Sequence, residues 1–214
     1  MFTGIVQGVF PVRSLARKAT AMSYAVELPE SLRAGLKLGA SVSIDGVCQT
    51  VARIEGPLVH FDANDETLRV TTLGGISEGA LAHVERAARQ GEENGGHVIS
   101  GHVDATAEIL AVERTTDNCA LVLRVPVDLA RYVFNKGFIA LQGASLTVNG
   151  WDEAARTFRV NLIPETLRLT TFGEKKAGDR VNLEIDRQTQ VIVDTIDRAL
   201  RRALQDRDFG PRGA

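Results

Sequence analysis

The chain has little cysteine: two residues, Cys48 and Cys119, among 214. Two widely separated thiols build neither a disulfide framework nor, alone, a zinc knuckle, and they fit a reducing compartment. Charge of one sign is also missing. Against 27 Asp plus Glu stand 25 Lys plus Arg, a formal net charge of −2, so no global basic field exists to attract nucleic acid. No apolar run approaches the roughly 20 residues that span a bilayer. The start, Met1-Phe2-Thr3-Gly4-Ile5-Val6-Gln7-Gly8, lacks the basic-then-apolar pattern of a signal peptide. These absences lead to the expectation of a cytoplasmic chain with neither nucleic-acid nor membrane partners. Hydrophobic residues at 44% and charged ones at 24% argue against disorder. The length allows one large domain or two of about 100 residues each.

Glycine, by contrast, is plentiful at 20 residues, which points to turns and short strands. The chain also repeats itself. Gly46-Val47-Cys48-Gln49-Thr50-Val51 matches Gly143-Ala144-Ser145-Leu146-Thr147-Val148 at an offset of 97, as Gly4-Ile5-Val6 matches Gly101-His102-Val103 and Pro29 matches Pro126. After a two-residue insertion, Glu66-Thr67-Leu68-Arg69 matches Glu165-Thr166-Leu167-Arg168 at 99, as does Val84-Glu85 with Leu183-Glu184. A repeat of this length means duplicated domains: 1–97, 98–187 and a tail, 188–214. Each repeat reads as β. Val181, Leu183 and Ile185 alternate with Arg180, Asn182 and Glu184, and Asp45-Gly46, Gly56-Pro57 and Asn149-Gly150 supply turn chemistry. Pro29 and Pro126 each open a short helix. Many short strands in about 95 residues suggest a small barrel or sandwich. From Gln188 to about Asp206, Ile192, Ile196, Leu200 and Leu204 recur at helical spacing, which predicts an amphipathic helix suited to self-association. Residues 209–214 are expected to fray.

The repeats differ where chemistry could sit. Ile5 becomes His102, Cys48 becomes Ser145, Ser41 becomes Phe138 and Gly39 becomes Lys136, while Thr50/Thr147 and Thr67/Thr166 are kept. Two similar pockets with different polar trim suit two copies of one ligand in unequal roles. Plainer roles fit other residues. Cys119 reads as a buried hydrophobe, His60 and His83 as partly exposed strand residues, and Trp151 as packing. His97 and His102 lack the third ligand of a zinc site, so no metal is expected. The glycines match no phosphate or dinucleotide fingerprint.

The start Met1–Gly8, the segment Gly95-Gly96-His97-Val98-Ile99-Ser100-Gly101-His102-Val103-Asp104, the stretches Ser145–Val148 and Leu162-Ile163-Pro164-Glu165-Thr166-Leu167, and the run Gln188–Thr195 together resemble the riboflavin synthase alpha-chain family. That resemblance implies an all-β fold of two six-stranded antiparallel Greek-key barrels and a C-terminal α-helix through which three chains associate. It implies the last step of riboflavin biosynthesis: two 6,7-dimethyl-8-ribityllumazines exchange a four-carbon unit, giving riboflavin and 5-amino-6-ribitylamino-uracil, with no metal or organic cofactor. One lumazine would sit in each barrel, and the pair would meet between neighbouring chains. Lumazine synthase is a further partner that the resemblance admits.

The resemblance also implies roles. Ser41 and Cys48 would be nucleophile or proton-transfer groups on the N-terminal barrel. His102 would be the acid/base group on the C-terminal one, since imidazole exchanges protons near neutral pH. Lys136, Ser145 and Thr147 would bond the second ligand, with Leu146 between them, as Gln49 and Thr50 flank the first. Backbone of Gly4, Ile5 and Val6 and of Gly101, His102 and Val103 would meet the rings, where glycine permits close approach. The loops Asp62-Ala63-Asn64-Asp65-Glu66-Thr67 and Leu162–Leu167 would hold the ribityl chains, and Asp186 would engage ribityl hydroxyls or orient a neighbour. Two residues depart from the family repeat. Gln49 replaces a leucine, and Gln142 replaces the Asp or Asn before Gly143. Gln49 is harmless if it points outward and must find hydrogen bonds if inward. The alternative reading is a non-catalytic lumazine-binding protein of the same fold.

Overall fold

A computed structural model describes residues 1–115 and 118–208; the expected frayed end, 209–214, lies outside them. The first repeat forms strands β1 (Gly8–Arg17), β2 (Ala21–Glu27), β3 (Ser41–Ile44), β4 (Val47–Glu55), β5 (Leu58–Asn64) and β6 (Leu81–Arg86). They close into an antiparallel barrel in the order β1-β2-β5-β4-β3-β6. The second repeat forms β7 (Ala105–Arg114), β8 (Cys119–Arg124), β9 (Phe138–Leu141), β10 (Ala144–Thr147), β11 (Asn149–Asp152), β12 (Thr157–Leu162) and β13 (Arg180–Ile185).

The six-stranded plan holds in both repeats, with one strand of the second in two pieces. The second sheet thus has seven strands, in the order β10-β9-β13-β7-β8-β12-β11. The single strand β4 of the first repeat corresponds to the two pieces β10 and β11, broken at Val148. The break follows from where that backbone bonds. Val148 leaves the ladder to exchange hydrogen bonds with Lys136 and Gly137 at 2.8 and 2.9 Å. In the first repeat, Val51 bonds to Gly39 and Ala40 in the same way, but its strand bulges past the irregularity between Val51 and Arg53 and continues.

The two interiors are separate. Met22, Tyr24 and Phe61 fill one; Leu121, Phe158 and Phe172 fill the other, with Cys119 among them. Trp151 packs on the edge of the second. Pro29 precedes the one-turn helix α1 (Glu30–Arg33) and Pro126 a 3-10 turn over Val127–Tyr132. In both the ring presets φ for helix entry. Two helices occupy segments that read as loops in the sequence. Helix α2 (Asp65–Val70) is capped by the Asn64 side chain, which accepts from the Thr67 amide, and α3 (Pro164–Leu169) starts with Pro at its first turn. The tail is helix α4 (Arg187–Asp208). Its Ile192, Ile196, Leu200 and Leu204 are all more than half exposed. Its polar side reaches the body, where Tyr132 donates to Asp194 at 2.7 Å and Arg131 pairs with Asp197.

Candidate functional site

The two barrels meet turn to turn. Asp45-Gly46 and Gln142-Gly143 are the β3–β4 and β9–β10 hairpin turns. All four residues have positive φ, at 50°, 83°, 47° and 81°, as a two-residue hairpin of this hand requires. The glycines touch: a Cβ on Gly46 would lie 2.5 Å from the Gly143 nitrogen. Each turn is tied to the other barrel. Asn182 donates to the Asp45 carbonyl at 2.8 Å and accepts from the Thr72 amide at 2.7 Å. At the matched position His83 bonds the Gln142 carbonyl at 3.0 Å, and its Nε2 accepts from the Thr171 amide at 2.9 Å. An accepting Nε2 places the proton on Nδ1, so a neutral imidazole does the work of the asparagine amide. Burial pushes the His83 pKa down to about 4, and raises that of Asp45, which accepts from the His83 amide, to about 6.

This corrects one expectation. His83 is not a partly exposed strand residue but is 1% exposed, because β6 faces the other barrel rather than water. Gln142 does the work of the acidic residue it replaces: its Oε1 accepts from the Asn182 amide at 2.7 Å, as the Asp45 carboxylate does for His83.

Beside this seam, two matched carboxylates hold two matched chain segments. Glu85 on β6 accepts from the Thr3 amide at 2.6 Å, the Thr3 hydroxyl at 2.7 Å and the Gly4 amide at 3.0 Å. Glu184 on β13 accepts from the Ser100 amide, the Ser100 hydroxyl and the Gly101 amide at 2.8, 2.6 and 2.9 Å. Burial raises both carboxyl pKa values, and the three donors pull part of that rise back. So anchored, each segment reaches across. The Gly4 carbonyl accepts from the Ser145 amide at 2.9 Å, and the Gly101 carbonyl from the Cys48 amide at 2.8 Å. Gly4 and Gly101 have φ of 76° and 78°, and a Cβ on either would come within 2.8 Å of Ser145 or Cys48. Phe2 and Ile99 bridge the two segments with a pair of backbone hydrogen bonds.

Each pocket is therefore composite. The first, about 280 Å³, is lined by Cys48, Glu66, Thr67 and Thr71 of the first barrel with Gly101, His102 and Val103 of the linker into the second. The second, about 140 Å³, is lined by Ser145, Ile163, Glu165 and Thr166 of the second barrel with Gly4, Ile5 and Val6 from the start of the first. Arg187, at the head of α4, grips the His102 carbonyl and pairs with Asp104 at 2.8 Å.

The family model of the lumazine binding domain matches this chain twice, over residues 3–87 and 100–186. Riboflavin synthase of Escherichia coli (strain K12) is 46% identical over 201 residues, covering 94% of this chain and 93% of that one. Riboflavin synthase of Chlamydia pneumoniae is 39% identical over 206 residues, covering 96% and 100%. The chain belongs to the riboflavin synthase family. Solved structures of LumP share the fold. The complex with riboflavin has a TM-score of 0.81 at 22% identity, and the complex with 6,7-dimethyl-8-(1'-D-ribityl) lumazine has 0.79 at 21%, each covering 87% of this chain and 100% of LumP.

Among the residues that the riboflavin synthase resemblance assigns, the structure gathers Cys48, Glu66, Thr67, Gly101, His102 and Val103 in one pocket. It gathers Gly4, Ile5, Val6, Ser145, Ile163, Glu165 and Thr166 in the other. His102, placed on the C-terminal barrel by sequence, instead stands across from Cys48 on the N-terminal one, and Gly4–Val6 move the opposite way. Others lie elsewhere. Ala63, Leu146 and Leu162 face the cores. Thr50 and Thr147 point outward. Asp62 is exposed and accepts from Ser23; Asp65 is exposed at the start of α2. Ser41 pairs with Thr50 at the mouth of β3 and lines neither pocket. Lys136 bonds Asn149 at 2.9 Å. Pro164 and Leu167 line a different hollow with Arg114 and Asn118. Asp186 accepts from the amide and hydroxyl of Thr189 in the first turn of α4.

Glu85, Glu184 and Arg187 escaped the sequence reading as site residues. The matched pair Val84-Glu85 and Leu183-Glu184 was the available signal, since a charged residue retained in an otherwise apolar strand needs buried partners.

Gln49 points inward. It is 4% exposed, its Nε2 reaches only the carbonyl of Cys48 at 3.1 Å, and its Oε1 has no partner. Its counterpart Leu146 sits in the core. An unsatisfied buried acceptor costs about 1–3 kcal/mol, so Gln49→Leu is expected to stabilise the protein by about 1–2 kcal/mol, read as a higher urea midpoint at unchanged m-value.

Proposed function

We propose that this chain is a riboflavin synthase acting as a transferase: it binds two molecules of 6,7-dimethyl-8-ribityllumazine and moves a four-carbon unit from one to the other, releasing riboflavin and 5-amino-6-ribitylamino-uracil. The observation that carries this is the near-complete coverage by riboflavin synthases at up to 46% identity, joined to a pair of matched pockets with unlike polar groups. Cys48 and His102 trim one; Ser145 and Thr166 trim the other.

The chemistry asks little of the protein beyond placement and proton transfer. The substrate ring is electron-poor, so loss of a proton from its C7 methyl leaves a delocalised anion. Holding two rings face to face supplies most of the acceleration through orientation. Side chains that pass protons to and from the rings, His102 among them, supply the rest. Backbone at Gly4–Val6 and Gly101–Val103 approaches the rings closely because no Cβ intervenes at either glycine. The ribityl chains run toward Thr67 and Thr166 at the starts of α2 and α3. Three copies assemble in the cytoplasm through the exposed stripe of α4, so that a first pocket of one chain faces a second pocket of its neighbour.

The test is turnover. Purified full-length protein, given 6,7-dimethyl-8-ribityllumazine without added metal or nucleotide, is expected to produce the absorbance and fluorescence of riboflavin. One riboflavin should appear for every two lumazines consumed. A folded sample that binds lumazine and yields no flavin on prolonged incubation overturns the reading in favour of a non-catalytic binder.

A further inference from the structure

We propose that His97 is a positioning residue acting through Ser145, and that this pair makes the second pocket the one that takes a proton from its bound substrate. The inference rests on the function proposed above.

His97 lies in the linker between β6 and β7, yet it is only 7% exposed. Its Nδ1 is 2.6 Å from the Ser145 hydroxyl oxygen. Its ring stacks on Phe138, with centroids 5.0 Å apart and planes 13° from parallel. The preceding Gly96 is pressed so tightly against the segment that a Cβ there would meet the Thr3 carbonyl oxygen at 2.2 Å and the Ser145 Cβ at 2.8 Å. The imidazole is thus held from its face, its edge and its backbone, and the serine it bonds lines the pocket beside Gly4, Ile5 and Val6.

The duplication makes the pair informative. An offset of 97 carries Ser145 onto Cys48. Among the described residues nothing hydrogen-bonds the Cys48 sulfur, and His102, the imidazole of that pocket, is not placed against it as His97 is against Ser145. A buried, hydrogen-bonded imidazole therefore stands behind Ser145 and not behind its counterpart Cys48.

A serine hydroxyl alone is a poor base. It becomes a competent one if it gives up its own proton as it receives another. In the step inferred here, a C–H bond of the substrate methyl breaks and its electron pair stays in the conjugated ring. The proton forms a new O–H bond at Ser145 Oγ while the original hydroxyl proton passes to His97 Nδ1. The products are the substrate anion and an imidazolium, so charge balances. Burial lowers the His97 pKa, which favours the neutral, proton-accepting ring, and Asp186 offsets part of that lowering.

The test uses the full chain and 6,7-dimethyl-8-ribityllumazine in deuterated water. Three readouts are followed: methyl-proton loss above the buffer rate by proton NMR, kcat, and Kd by ligand fluorescence. His97→Gln keeps an acceptor and much of the volume but cannot carry the proton. It is expected to lower exchange and kcat together by about 100-fold, with Kd within about threefold. Added imidazole should restore part of the rate of His97→Ala and none of His97→Gln. The double variant with Ser145→Ala should be no slower than the slower single variant, because the two groups act as one. A His97→Gln protein within about threefold of the parent in exchange and kcat overturns the inference, as does a loss matched by an equal weakening of Kd. A parent that binds lumazine without exchange or turnover overturns this inference and the proposed function together; an active parent with an undiminished variant overturns this one alone.

Discussion

Replacing Glu184 by alanine is expected to destabilise the protein by about 3–5 kcal/mol and to lower riboflavin formation by about 100-fold or more. Glu184 is 3% exposed, and three donors converge on its two oxygens. A hydrogen bond to a charged group contributes about 1.5–3 kcal/mol, and each buried donor left without a partner costs about 1–3 kcal/mol. Alanine removes all three bonds at once. The functional loss follows from what the carboxylate holds. Once Ser100 and Gly101 are released, the Gly101 carbonyl no longer fixes the Cys48 amide, and His102 leaves the pocket wall. Glu184→Gln tests the charge separately from the shape. Its amide oxygen still serves Ser100, while its NH₂ faces the Gly101 amide donor to donor, so a loss of about 2–3 kcal/mol is expected. Urea denaturation and the flavin assay, run on the same samples, read both effects. Stability and turnover like the parent's in the alanine variant would show that Glu184 anchors nothing.

The second large effect is expected at the seam between barrels. Gly46→Ala combines two costs. The residue sits at φ of 83°, where a side chain costs roughly 1–2 kcal/mol. Its new methyl would also lie 2.5 Å from the Gly143 nitrogen and 3.0 Å from the Gly143 Cα. Both neighbours are backbone within a hairpin turn, so neither can yield without moving a barrel, and overpacking of this kind costs a further 1–3 kcal/mol or so. The expected total is about 2–5 kcal/mol, with loss of the bonds from Asn182 to Asp45 and from His83 to Gln142. Gly56→Ala is the control. It shares a positive φ, at 57°, but has open space around its Cβ, so it should lose only the conformational part. Equal losses in the two variants, measured by urea midpoint, would mean that the turn-to-turn approach adds nothing.

Much of the architecture was legible because its signals are local. The alternation along Arg180–Ile185 belongs to a strand whichever neighbours it finds, and Asp45-Gly46 calls for a tight hairpin turn through its own backbone. The break at Val148 was not legible, since Val51 carries the same residue type in an unbroken strand; what differs is how each strand continues past its contact with the neighbouring loop. The short helices after Asn64 and Ile163 were hidden for a related reason. Six residues span less than two turns and show no periodicity to detect.

The amino-acid order by itself determined that two like β domains exist, where their polar trim differs and that a helix follows, because repetition, period-two patterning and helical spacing are written in neighbouring residues. Only the tertiary structure decided how these pieces share their pockets. It set His102 opposite Cys48, set Gly4–Val6 against Ser145, buried His83 in the seam and drew His97 out of the linker to stand behind a serine. Each of those placements rests on contacts between residues about 50 to 140 positions apart. Such contacts arise from buried carboxylates and bare backbone meeting across a domain boundary, and no local spacing encodes them.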